Sequence, residues 1–179
     1  MKILFLILAL NLYSCRTDNQ YQQSEEMYAV TKAVLDEFEG FDFILCSTPL
    51  SYSSNNIVTN SIPLKEALDI DLIKKFQEFS PPGDDILIDE LINVEELEYM
   101  KNQIKVDSVW NVETLHFKVG NCVNNSAFNQ LKLSKPLFNE ENNLSLVFLA
   151  KSTITEYSVS LFLLKKEKDN WQKVWSLNM

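Results

Sequence analysis

The sequence predicts an α+β domain, with N-terminal helices packed on a C-terminal antiparallel sheet arranged as a meander. Apolar residues recur at helical spacing through 27–38 and 64–76. Short apolar or alternating runs fill most of 115–177, and turn-forming residues separate the last of them at hairpin distances. Helices first and strands after is the order of a segregated α+β fold.

Met27, Val30, Val34, Leu35 and Phe38 share one face of the first helix, and Gly40 stands where a left-handed C-terminal cap belongs. Phe41 to Cys46 reads as a strand, and the Ser- and Asn-rich residues 47–60 as a loop. Ser61 and Pro63 open a second helical stretch carrying Leu64, Ala67, Leu68, Leu72, Ile73 and Phe76; Pro81-Pro82-Gly83 ends it. Residues 85–92 suit either a strand or a buried helix. Asn93 with Glu96 forms the pattern of an N-cap with its reciprocal glutamate, starting a helix that runs to about Ile104. Leu115, Phe117 and Val119 alternate with His116 and Lys118. Leu144–Ala150, Tyr157–Leu164 and Trp171–Leu177 then read as successive strands, joined by turns at 139–143 and 165–170.

The N-terminus has a different character. Met1-Lys2 precedes an uncharged run from Ile3 to Leu10, too short to span a bilayer as a helix. Leu12-Tyr13-Ser14-Cys15 follows and resembles the lipobox of bacterial lipoproteins, although Tyr13 is bulkier than that position usually holds. The resemblance implies a cleaved signal peptide over 1–14 and a lipid-bearing Cys15, with palmitate among its acyl chains. Residues 15–24 then form a polar lipidated tether and 25–179 a single domain. Each buried acyl CH₂ contributes about 0.8 kcal/mol, so two or three chains anchor durably.

The chain has 16 basic and 25 acidic residues, a net charge of −9. Loss of Lys2 with the signal leaves 15 basic against 25 acidic residues, a net −10. Such a domain repels nucleic acid and favours cationic partners or plain solubility. With Cys15 acylated, Cys46 and Cys122 remain. In an oxidising compartment they suit one disulfide, although two buried thiols fit the sequence as well.

Several chemistries lack their residues. His116 is the only histidine, which removes three-histidine zinc sites and HExxH pairs, and its place in an alternating run suits a solvated strand position. There is no G-x-S-x-G elbow and no S-x-x-K dyad. Three glycines (Gly40, Gly83 and Gly120) cannot build a phosphate loop. The acidic clusters are Asp69 with Asp71; Asp84-Asp85 with Asp89-Glu90; and Glu95-Glu96 with Glu98. They suit glycoside hydrolysis or calcium in principle, and solvated or capping positions at helix ends more commonly. No catalytic residue, metal or cofactor is expected. Trp110, Trp171 and Trp175 suggest either core or a binding platform, with Trp171 and Trp175 on one strand face.

Glu98-Tyr99-Met100 with Gln103, Ser134-Lys135-Pro136-Leu137-Phe138-Asn139, and Leu163-Leu164-Lys165-Lys166 running into Trp171 resemble the uncharacterised small lipoproteins of Bacteroidota-type bacteria. The resemblance implies an α+β domain in the cell envelope and assigns no activity.

The expected function is that of a lipid-anchored envelope protein acting as a non-catalytic binding or interaction module. Its partners are then the membrane, through lipid on Cys15, and a cationic envelope protein or peptide. Its place is the outer membrane facing the periplasm, because no dense acidic run follows Cys15. The alternatives are an inhibitor or immunity-type protein against a basic partner, and a carboxylate-based envelope hydrolase.

Overall fold

The computed structural model describes residues 25–52, 63–79, 86–104, 117–122 and 129–179. The expected signal peptide, Cys15, the tether, Asp84-Asp85, Trp110 and His116 lie outside them.

Residues 25–35 are helical (α1) and tighten into a 3₁₀ turn at Asp36–Phe38. The other helices are α2 (Leu64–Ala67), α3 (Ile70–Phe79) and α4 (Val94–Asn102), with a second 3₁₀ turn at Ile88–Glu90. The strands are β1 (Ile44–Cys46), β2 (Val119–Gly120), β3 (Gln130–Leu133), β4 (Leu137–Phe138), β5 (Leu144–Ser152), β6 (Tyr157–Glu167) and β7 (Asn170–Asn178). They form one seven-stranded sheet in the order β2-β1-β3-β5-β6-β7, with β4 also paired to β5.

The fold is α+β, but the sheet is mixed rather than wholly antiparallel. β5, β6 and β7 form the expected meander of antiparallel neighbours. β1 instead inserts between β2 and β3 and runs parallel to both. Parallel neighbours need a crossover of a dozen residues or more. The chain between β1 and β2, which carries α2, α3 and α4, supplies one.

The helices also cover both faces of the sheet, not one. Leu144, Leu146, Phe148 and Ala150 of β5 point into a core with Leu64, Leu68, Ile73, Ile88, Ile92, Leu97 and Met100 from the α2–α4 region. Val147 and Leu149 of the same strand point the other way, into a core with Val30, Val34 and Leu35 of α1. Since successive strand residues face opposite sides, an apolar run at consecutive positions must be covered twice. Burying each large apolar side chain contributes roughly 1.5–3 kcal/mol.

Local signals explain most helix ends. Asn93 caps α4 reciprocally: Glu96 N–H donates to Asn93 Oδ1 at 2.8 Å, and Asn93 N–H to Glu96 Oε2 at 3.2 Å. The stretch read as one helix from Leu64 to Phe76 is two. Leu68 leaves helical geometry (ψ 62°), and Leu72 N–H donates to Asp69 Oδ1 at 3.0 Å as the helix restarts. Within the ambiguous stretch before Asn93, Ile88–Glu90 is a 3₁₀ turn. In β7 the register shifts opposite Leu163 and Leu164, leaving Val174 without an opposite residue. That extra residue puts Trp171 in the α1-side core and Trp175 in the other, so they do not share a face. No helix among the described residues is long and apolar enough to cross a membrane.

A buried polar node ties the loop after β1 to the sheet. Leu50 N–H donates to Leu133 O at 2.7 Å, and the Tyr52 hydroxyl donates to Lys135 O at 2.6 Å. Tyr52 also shares a 3.0 Å hydrogen bond with Ser134 Oγ, which accepts from Phe148 N–H at 2.9 Å. Burial pushes the Tyr52 phenol well above its ordinary range, partly offset by the Ser134 hydrogen bond. A raised pKa in the folded state means that the phenol's contribution is whole below the unfolded value, near 10.0, and is lost as pH rises above it. The stability advantage of the wild type over Tyr52→Phe should therefore shrink by about 1 kcal/mol between pH 10 and 11. Urea midpoints at the two pH values measure it, and an unchanged difference would show that Tyr52 ionises freely in the folded protein.

Candidate functional site

The C-terminal end of α1 opens onto a cleft of about 490 Å³. One wall is Tyr28, Lys32 and Leu35 of the helix; the floor and far wall are the segment 36–43 with Phe117 and Lys118. The segment reads Asp36-Glu37-Phe38-Glu39-Gly40-Phe41-Asp42-Phe43, four carboxylates and three phenylalanines in eight residues.

Its backbone follows from Gly40. The residue sits at φ +85°, and a Cβ there would meet nothing within 4 Å, so the glycine serves conformation rather than clearance. Phe41 N–H donates to Phe38 O at 3.2 Å, and Phe43 N–H to Phe41 O at 2.9 Å, turning the chain out of α1 and into β1. The turn gathers the rings. Phe38 and Phe43 meet edge to face with centroids 5.8 Å apart, and Phe41 lies 6.4 Å from Phe43. Phe41 remains 65% exposed, unusual for so large an apolar side chain beside a cleft.

The charges are unevenly engaged. Glu37 turns away to pair with Lys173, whose ammonium stands 5.6 Å from the Phe162 ring centre. Asp42 and Lys118 approach only to 3.8 Å, with both side chains largely in solvent. Asp36 and Glu39 make no ion pair among the described residues.

β1 and β2, which follow Phe43 and Lys118 out of the cleft, are joined covalently at their far ends. Cys46, at the end of β1, and Cys122, just past β2, form a disulfide with Cα atoms 5.3 Å apart. Beside it, Ser47 N–H donates to Gly120 O at 3.0 Å. The two strands approach closely: a Cβ on Gly120 would lie 2.9 Å from Ile44 Cγ2. A larger residue there would require the Ile44 side chain to shift.

A second, more polar groove of about 870 Å³ lies against β4. It joins segments far apart in sequence: Tyr99 and Gln103, residues 135–139, and Lys166. Its polar groups are largely used in holding the fold. Phe138 N–H donates to Gln103 Oε1 at 3.2 Å, and Gln103 Nε2 donates back to Phe138 O, so a side-chain amide replaces a strand neighbour. Asn139 is 2% exposed. It accepts from Asn143 N–H and Leu144 N–H, each at 3.0 Å, and donates to Glu96 Oε1 at 3.1 Å. Glu26 accepts from Trp171 Nε1 at 2.6 Å and pairs with Lys166.

Four of the carboxylates singled out in the sequence serve similarly structural ends. Asp69 and Glu96 cap helices, and Glu98 pairs with Lys101 at 3.2 Å. Lys74 bonds to Asp89 and holds its carboxyl below the usual range. No three of His, Cys, Asp and Glu among the described residues are placed to hold a metal ion. The sequence reading had missed the 36–43 cleft, because it divided that segment between a helix end and a strand. The alternation of acidic and aromatic residues around Gly40 was the available signal.

The cross-link yields a direct test. Closing a loop across the 76 positions from Cys46 to Cys122 stabilises by roughly 4 kcal/mol in the chain-entropy account. Replacing both cysteines with serine should lower the urea midpoint accordingly and loosen Phe43 and Phe117. A midpoint unchanged by the double substitution would contradict that account, and two free thiols in the unfolded wild type would show that the cysteines are not joined.

Comparison of the chain with protein-family models, with curated proteins and with solved structures finds no match.

Proposed function

We propose that this chain is a lipid-anchored cell-envelope protein that binds a partner through the cleft at the end of α1 and performs no chemistry on it. The observation that carries the reading is the cleft itself. It is concave, aromatic and rimmed by charge, and the two strands that lead from it are joined by a disulfide, the features of a preformed binding site.

The anchor is supported by the Leu12-Tyr13-Ser14-Cys15 pattern, and the compartment by the Cys46–Cys122 bridge, since disulfides persist where the surroundings are oxidising. Cys15 stands ten positions before Glu25, and a chain of that length reaches at most about 35 Å. Outer-membrane attachment facing the periplasm is part of the same reading.

The acidic segment 36–43 also favours a second reading, an inhibitor of a basic envelope protein. It differs in requiring that binding suppress the partner's activity at equal stoichiometry. A carboxylate-based hydrolase draws less support, because Asp69, Asp89, Glu96 and Glu98 are engaged in caps and ion pairs.

Metabolic labelling with an alkynyl palmitate tests the anchor. The wild type should incorporate label and sediment with membranes, and Cys15→Ala should do neither. An unlabelled wild type, or a Cys15→Ala protein that still sediments with membranes, would overturn the lipid anchor.

A further inference from the structure

The cleft's chemistry narrows the partner. We infer that it receives a lysine or arginine side chain of a basic polypeptide, a step that rests on the binding role proposed above. Aromatic ring faces carry negative potential and attract cations, the more so when water is excluded. Phe38, Phe41, Phe43, Phe117 and Tyr28 all line it. Asp36 and Glu39 supply carboxylates with no internal ion pair among the described residues.

The same molecule already contains the arrangement on a small scale. Lys173 stands over the Phe162 ring while pairing with Glu37. A guest ammonium or guanidinium in the cleft would repeat that combination, with Phe41 or Phe43 as the ring and Asp36 or Glu39 as the carboxylate.

Charge decides between occupants. An anionic ligand would meet three carboxylates, Asp36, Glu39 and Asp42, against Lys32 and Lys118. A purely apolar ligand would draw Asp36 and Glu39 out of water without pairing them. A cationic side chain satisfies both the rings and the acids. The chain's net charge of −9 then steers a basic partner towards it from a distance.

The test uses the full chain in detergent micelles with its disulfide intact and its phenylalanines labelled with ¹⁵N. The probe is an acetylated, amidated triarginine peptide; triglutamate and Gly-Leu-Gly, blocked in the same way, are the comparisons. Triarginine should give saturable shifts at Phe38, Phe41, Phe43 and Phe117. The affinity should fall at least threefold in Phe41→Ala and at least fivefold in Asp36→Asn/Glu39→Gln. These side chains lie at the surface, so the rest of the spectrum should be unchanged. Equal saturation by Gly-Leu-Gly, preference for triglutamate, or absence of shifts at the four phenylalanines would each overturn the inference. The anchor is judged separately: a protein that takes palmitate yet ignores triarginine loses only this cationic partner, and the reverse result loses only the lipid.

Discussion

β5 has no side that faces water along most of its length, and the rest of the molecule is arranged around that constraint. Leu144 to Ala150 are buried without interruption. A strand of that kind is stable only between two covering layers. α2, α3 and α4 supply one layer, and α1 supplies the other with Val30, Val34 and Leu35. On either side β5 is paired antiparallel, to β3 and β4 and to β6, so its backbone groups are satisfied as well. Placing α1 on the second face fixes where that helix ends, and its end is where the cleft opens.

From α1 the chain must turn at once to reach the sheet. Gly40 makes the turn, and β1 enters beside β3, parallel to it. The segment between helix and strand is therefore short and lies near the sheet's margin. Phe38 and Phe43 pack on each other and against the α1-side core, and Phe41 stays largely exposed. Among the described residues β2 is the last strand on that side and only two residues long, and the disulfide adds to its hydrogen-bonded pairing with β1. Fold and site are coupled through these few residues.

What could be read from the sequence was local. The Asn93–Glu96 cap, the helix ending before Gly40 and the hairpins of the β5–β7 meander all depend on neighbours within a few positions, and the structure has each of them. What could not be read was set at a distance. The parallel insertion of β1 depends on strands more than seventy positions away. An apolar run such as Leu144–Ala150 does not by itself say whether helices cover one face or two. The opposed tryptophans follow from one extra residue, Val174, which a strict two-residue period hides. Leu68 continues a helical apolar pattern, yet the cap at Asp69 interrupts it. The cleft combines both kinds of signal: 36–43 is local, while Phe117 reaches it only through the sheet.

Among the described residues these features combine a two-sided core with an aromatic, acidic cleft, which we propose is used at a membrane. The most direct test is hydrogen exchange on the full-length protein in isolated envelopes, compared with the same protein purified in detergent. A cleft occupied in its native setting predicts slower exchange at residues 38–43 in the envelope, with β5 equally protected in both. Identical exchange across 38–43 in the two settings would contradict the account, because the cleft would then be empty where it is supposed to act.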